Sequence, residues 1–384
     1  MRPLDRRQFL SVAGLGALAV PTAALLTACG GGGDSAGTTA AGTGGTATGA
    51  GTVGPLKIAL SSSTQPTYIT DLAGPLLYGK DFGLNVSKDD IVTFQSHATA
   101  VQAVLSGQLQ VVGASTMAQL SVIAQGSPFK MFAPYILVDT YCIAAEESIG
   151  TLQEIKSKNA TVAVDSEGGA GRTGMDAILK AKDAGFLVKD LENVNGIESS
   201  SGRASALESG DAQVALVHIY QANKITQETG KKLNVLGTLY ESVPLYLKEA
   251  YAAPQAWLDS NQATAAALMA SIIKASRELS ASEETFMAAV KELLPEPPGD
   301  DQLKLSFDLI GKYQFWPTDP PTGLEDDRVQ FMIDLGKAEG LLTNPSLSPA
   351  TVVDNRPLEA AQKLVGPAPA GSGASSAPAT TGTS

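Results

Sequence analysis

Hydrophobic positions between residues 55 and 366 follow two periods. Short apolar runs at 56–60, 91–94 and 111–114 show no alternation and predict buried strands. Helical spacing follows each run: one helix from about residue 68, then helices at 99–106 and 117–125. Strand and helix in alternation predict an open, mostly parallel α/β sheet with helices on both faces. From about residue 262 the pattern becomes helical. Ala265, Leu268, Met269, Ile272, Ile273 and Leu279 mark one packed face. Phe286, Val290 and Leu293 continue it in a second helix, stopped by Pro295-Glu296-Pro297-Pro298. Further helices are predicted at 301–310 and 325–339. A single core stops growing at roughly 250–300 residues, so two lobes are predicted, with the helical part returning to the first.

The pattern of the first lobe recurs. Ala103-Val104-Leu105-Ser106-Gly107-Gln108-Leu109-Gln110-Val111 aligns with Ala206-Leu207-Glu208-Ser209-Gly210-Asp211-Ala212-Gln213-Val214 at an offset of 103 residues. Each copy reads as a helix end, a glycine in a left-handed cap, and a strand. The same offset sets 61–64 opposite 164–167, and 95–98 opposite 198–201. Three matches in register predict two lobes of one topology.

Ligands of open α/β sheets bind beyond the carboxyl ends of the strands. The repeat therefore marks facing loops at 61–68, 95–98 and 113–117 in one lobe, and at 165–173, 198–203 and 217–220 in the other. They are rich in Ser, Thr and Gly and open into helices, whose free N–H groups suit anionic or polar ligands. Ser62, Ser63, Thr64 and Gln65 are candidate hydrogen-bonding groups, weighed against ordinary turn chemistry. Ser96 and Ser200 occupy matching loops, as do Ser115 and Thr116, one of which is expected to cap a helix. Asp165 and Thr173 flank a glycine run. Arg172, after Gly168-Gly169-Ala170-Gly171, is either a clamp on an anionic group or a solvated helix-start arginine. Arg203 is read as the solvated kind. The glycine run lacks the Gly-Lys-Ser/Thr ending of a nucleotide loop. His97 and His218 have no acidic or cysteine pattern at metal-ligand spacing, so polar binding or exposure is expected, with no metal or cofactor. Tyr68, Tyr141 and Tyr220 are candidates for stacking on a flat ligand, although tyrosine is also common in cores. Trp257 and Trp316 read as structural.

The first 54 residues read as an address. Asp5-Arg6-Arg7-Gln8-Phe9-Leu10 resembles a twin-arginine export signal, but Asp5 and Ser11 depart from the usual pattern and leave ordinary secretion open. A diluted apolar run ends in Leu26-Thr27-Ala28-Cys29, which looks like a bacterial lipobox. Residues 1–28 are then a signal peptide, Cys29 carries the lipid, and the chain belongs on the outer face of the cell membrane. The alternative is an N-terminal membrane span. Residues 29–54 are nearly all Gly, Ala, Thr and Ser and are expected to form a flexible linker, as residues 367–384 form a disordered tail. The formal net charge is −12, without basic runs, which argues against nucleic acid as partner. Cys142 loses its only possible mate once Cys29 is lipidated, so it reads as a buried small hydrophobe.

Three stretches then carry a family resemblance. They are residues 103–130, ending in Ala124-Gln125-Gly126-Ser127-Pro128-Phe129-Lys130; residues 203–214; and Gly336-Lys337-Ala338-Glu339-Gly340 with Val353-Asp354-Asn355. Together with the lipobox, the chain resembles the solute-binding lipoproteins of ABC importers, of the sulfonate, nitrate and taurine type. The resemblance implies a type II periplasmic-binding fold with a cleft between lobes, 55–140 plus 245–366 forming lobe 1 and 141–244 lobe 2. It implies hinges near 138–145 and 243–250 and an ABC permease as partner; a monomer suits such a hinged binder, and with no hydrolase elbow, metal pair or phosphate loop in the sequence no catalysis is expected. The Ser/Thr-rich loops and low aromatic content favour a small polar or anionic solute, such as an organosulfonate or nitrate; a nitrogen heterocycle stays open. The rival reading is an enzyme of the related pyrimidine-precursor synthase type, whose cysteine-rich motif this chain lacks. A third is a tethered surface sensor without transport.

Overall fold

The computed structural model describes residues 52–61, 65–318 and 323–367. The leader, Cys29 and nearly all of the linker and tail lie outside them. Where the linker does enter, it is already anchored: the Gly54 N–H donates to Thr264 Oγ1 at 2.8 Å, and Val53 packs on the core.

Among the described residues, ten strands form two sheets. They are β1 (Ile58–Ser61), β2 (Ile91–Phe94), β3 (Val111–Ser115), β4 (Phe129–Ile136), β5 (Tyr141–Glu146), β6 (Val162–Val164), β7 (Val194–Gly196), β8 (Val214–His218), β9 (Leu233–Thr238) and β10 (Glu249–Pro254). The first sheet runs β2-β1-β3-β10-β4 and the second β7-β6-β8-β5-β9. In each, four strands point one way and a single strand, β10 in the first and β5 in the second, runs antiparallel to them. The offset of 103 residues carries β3 onto β8 residue for residue. It also carries α1 (His97–Leu105) and α2 (Thr116–Ala124) onto the helices that start at Ser200 and Ile219. Gly107 and Gly210 end the matching helical turns with φ of 78° and 84°, a left-handed conformation that an L side chain rarely adopts. The molecule is therefore a two-lobed α/β protein whose halves share one topology. Strands β1, β3 and β8 are buried along their whole length, which explains their unbroken apolar runs.

The second sheet comes from one continuous stretch, and the first is completed only by a strand that follows it. After β4 the chain crosses at Leu137–Thr140 into β5, in the second sheet. After β9 it returns at Val243–Lys248 into β10, which inserts between β3 and β4. The two crossings touch: the Lys248 N–H donates to Leu137 O at 2.9 Å. Each also seats a helix of the lobe it borders. Lys248 O accepts from Thr116 N, and Thr140 O from Ile219 N, both at 2.9 Å.

Five further helices position the site: α3 (Ala170–Ala181), α4 (Ser200–Ser209), α5 (Ile219–Thr229), α6 (Gln262–Ala281) and α7 (Asp326–Glu339). Helix α6 packs on the first lobe with Leu268, Met269, Ile272 and Ile273 buried, so the helical C-terminal part does return there. Trp316 is buried and donates from Nε1 to Thr67 O at 2.6 Å, which ties residues 66–68 to the C-terminal part. Cys142 is fully buried in the second lobe, and burial pushes its thiol up to about 12.

The lobes also meet where α7 reaches α3. Thr173 Oγ1 donates to Glu339 Oε2 at 3.4 Å, and Lys189 Nζ to Ala338 O at 2.6 Å. Glu339 Oε1 is buried without a partner. Burial, then the nearby Asp176 carboxylate, pushes Glu339 up from 4.5 to about 8. Burial likewise raises Asp176 to about 6. An acid whose folded pKa is raised holds its proton longer in the native state, so native stability falls as pH rises between the two values. Stability should therefore decline from about pH 5 to pH 8 in urea titrations, and Glu339→Gln should flatten that slope. An unchanged slope in the variant would place the titrating group elsewhere.

Candidate functional site

The carboxyl ends of the parallel strands of both sheets open on one cleft of about 370 Å³. From the first lobe come Ser61, Gln65 and Tyr68 after β1, and Gln95, Ser96 and His97 after β2. From the second come Asp165 and Ala170 after β6, residues 197–201 after β7, and His218 at the end of β8. Tyr141, Lys248 and Glu249 stand where the two crossings enter β5 and β10.

Asp139 organises the floor. It is fully buried and pairs with Lys248, 2% exposed. Its Oδ2 also accepts from Tyr68 OH at 2.8 Å, and its Oδ1 from Thr140 N at 2.6 Å. His218 Nδ1 lies 3.4 Å from Oδ1 and 2.8 Å from the Thr140 hydroxyl. The Lys248 ammonium rests over the Tyr68 ring at 4.4 Å and the Tyr141 ring at 4.2 Å, a cation–π sandwich. Burial lowers the Lys248 pKa, and the Glu249 carboxylate opposes that shift. His218 stacks on Tyr141 with centroids 4.4 Å apart, and on Tyr220 at 5.8 Å. Glu249 is 2% exposed; its Oε2 accepts from Tyr135 OH at 2.5 Å.

Asp165 explains the glycine run. Its carboxylate caps α3, accepting from Gly171 N at 2.8 Å and from Arg172 N. A Cβ on Gly169 or Gly171 would stand 2.4 Å or 2.8 Å from a carboxylate oxygen of Asp165, so the cradle requires glycine. The helix N-terminus, a natural anion site, is already occupied by the chain's own carboxylate. Burial raises the Asp165 pKa, while the Arg203 charge and the two N–H groups act against the rise.

Several expectations need correction. Arg203 is not solvated: it is 1% exposed and donates to Leu216 O, Ile197 O, Glu198 O and Tyr141 OH. Arg172 does not line the cleft; its charge acts on Asp176 and Glu339, on the α7 side. Thr173 also faces Glu339. Ser115 Oγ caps α2 through Ala118 N at 3.3 Å, and Thr116 is fully buried, so neither reaches the cleft. Tyr220 stands beside the lining, where its hydroxyl donates to Gln65 Oε1 across the gap between lobes. Gln65, Tyr68, Ser96, His97, Tyr141, Asp165, Ser200 and His218 do converge on the cleft. Ser62, Ser63 and Thr64 lie outside the described residues. Sequence reasoning missed Asp139, Lys248 and Glu249. The signal available was a charged pair, Lys248-Glu249, at the mouth of an apolar strand.

A family model described as NMT1/THI5 like matches residues 77–284, more than half of the sequence. The chain belongs to this family. No curated protein matches it in sequence. Solved structures with the same fold include the nitrate-binding protein NrtA of Synechocystis PCC 6803, at 13% identity and a TM-score of 0.64, covering 80% of this chain and 88% of that one. The alkanesulfonate-binding protein SsuA of Xanthomonas axonopodis pv. citri, bound to MOPS, is similar at 14% identity and a TM-score of 0.57, covering 78% and 97%. Escherichia coli SsuA is similar at 15% and 0.57, covering 75% and 94%. The shared architecture is the periplasmic-binding-protein fold. In this member of the family, the only lysine or arginine among the described lining residues is Lys248, already paired with Asp139.

Removing one partner of a buried ion pair leaves the other uncompensated, at a cost of about 3–5 kcal/mol. Lys248→Met should destabilise the protein by that amount in urea titrations, and the double variant with Asp139→Asn by less. A loss under about 1 kcal/mol for Lys248→Met would show that the pair does not hold the crossings together.

Proposed function

We propose that the chain is a non-catalytic solute receptor of an ABC-type importer, tethered to the outer face of the cell membrane through Cys29. The observation that carries this reading is the cleft itself. Two sheets of one topology, joined by two crossings, present polar groups from both lobes to a space sized for a small molecule. The low-identity likeness to nitrate- and sulfonate-binding proteins supports the same role. Lobe 1 comprises 55–140 and 245–366, lobe 2 comprises 141–244, and closure occurs at the crossings. Gln65, Tyr68, Ser96, His97, Tyr141, Asp165, Ser200 and His218 contact the solute, joined by Lys248 and Glu249. A solute that binds the closed arrangement better than the open one drives closure, and the closed form docks on a permease. A monomer suffices for this cycle.

Two measurements test the proposal. A thermal-shift screen of small solutes should find one that raises Tm saturably, as expected for a ligand of the native state. Tyr220→Phe, which deletes the hydrogen bond to Gln65, should then weaken that solute by about 1 kcal/mol, roughly fivefold; an unchanged affinity would remove the bridge from the closure mechanism. Separately, Cys29→Ala should move the protein from the membrane fraction to the soluble one. A variant that stays processed and membrane-bound would exclude the lipid anchor.

A further inference from the structure

Charge counting around the cleft gives a result at odds with an oxyanion ligand. Two cationic side chains, Lys248 and Arg203, stand among four carboxylates: Asp139, Asp165, Glu198 and Glu249. His97 and His218 are the other titratable groups there.

Neither cation is available to a ligand. Lys248 is committed to Asp139 and covered by two tyrosine rings. Arg203 lies behind the lining, and its guanidinium makes four hydrogen bonds to three carbonyls and the Tyr141 hydroxyl. The N-terminus of α3, the usual place for an anion, is filled by Asp165. At the N-termini of α1 and α4, the Ser96 and Ser199 hydroxyls accept from Thr99 N at 3.3 Å and Gly202 N at 3.1 Å.

The carboxylate side is not saturated. Glu249 is 98% removed from solvent, lines the cleft, and has one oxygen with no hydrogen-bond partner among the described residues. That oxygen is not among the sealed side-chain atoms without a partner, so a donor in the cleft can reach it. The rings of Tyr68, Tyr141 and His218 line the same cleft, with Lys248 over the two tyrosines and His218 stacked on Tyr141.

We infer that the cleft takes a small organic cation, an amine or amidinium whose N–H groups bond Glu249, rather than a sulfonate or nitrate. This inference rests on the receptor reading above and specifies its solute class. An ammonium or amidinium would donate to Glu249 and offset the excess negative charge of the cleft.

The test uses isosteric probes of opposite charge on the full chain, purified through unfolding and refolding to strip co-purified ligand. Benzamidinium and benzoate differ little except in sign; nitrate and methanesulfonate represent the oxyanions. Benzamidinium should raise Tm saturably and bind by calorimetry, with the three anions silent at the same concentration. Glu249→Gln, folded by circular dichroism, should weaken benzamidinium at least tenfold. The wild-type comparison stands even if that variant fails to fold. Tighter binding of any of the three anions than of benzamidinium would overturn the cation assignment while leaving the receptor intact. Silence of all four probes would also overturn it, and only a blank in the wider solute screen would then remove the receptor reading as well.

Discussion

The buried pair between Asp139 and Lys248 is the interaction on which the arrangement of the lobes depends. Each residue belongs to a different crossing, and the crossings are the covalent links between the sheets. A buried ion pair gives little net stability compared with apolar packing, but it specifies geometry, because either charge left alone is expensive. Here the pair also gathers Tyr68 from the first lobe, Thr140 from the crossing itself and His218 from the second lobe. Hinge, aromatic floor and ligand space thus share one carboxylate. A change in the position of either crossing would be felt at once by the rings that face a ligand.

Much of this architecture was legible in the sequence. The repeat around Gly107 and Gly210 could be found because a left-handed cap between a helix and a buried strand constrains residue types strongly. The parallel strands announced themselves through unbroken apolar runs, since both faces are covered. The loops beyond those strands followed from topology, and so did most of the lining residues of the cleft.

What was not legible involved partners distant in sequence. Strand β10 pairs with β3 and β4 across more than a hundred residues, so the charged pair at its start did not by itself indicate that Lys248 and Glu249 would face the cleft. Arg203 looked like an exposed helix-start arginine beside serines. Its burial depends on carbonyls that only the folded second lobe brings together. The glycine run suggested an open anion site. The carboxylate that fills it, Asp165, is separated from those glycines by a turn whose course the composition alone does not dictate. In each case the residue types were visible and the charge balance was not, because that balance is a property of the assembled wall.

The insertion of β10 between β3 and β4 has a consequence for the order in which the chain can become structured. The second sheet is drawn from residues between Tyr141 and Thr238, one uninterrupted stretch. The first sheet cannot close until Glu249–Pro254 arrives, so β3 and β4 emerge earlier with unpaired edges facing an empty slot. Open edges of this kind invite pairing with other chains. A chain that folds as it appears therefore has to complete its later half first. The lobe begun first is the lobe finished last.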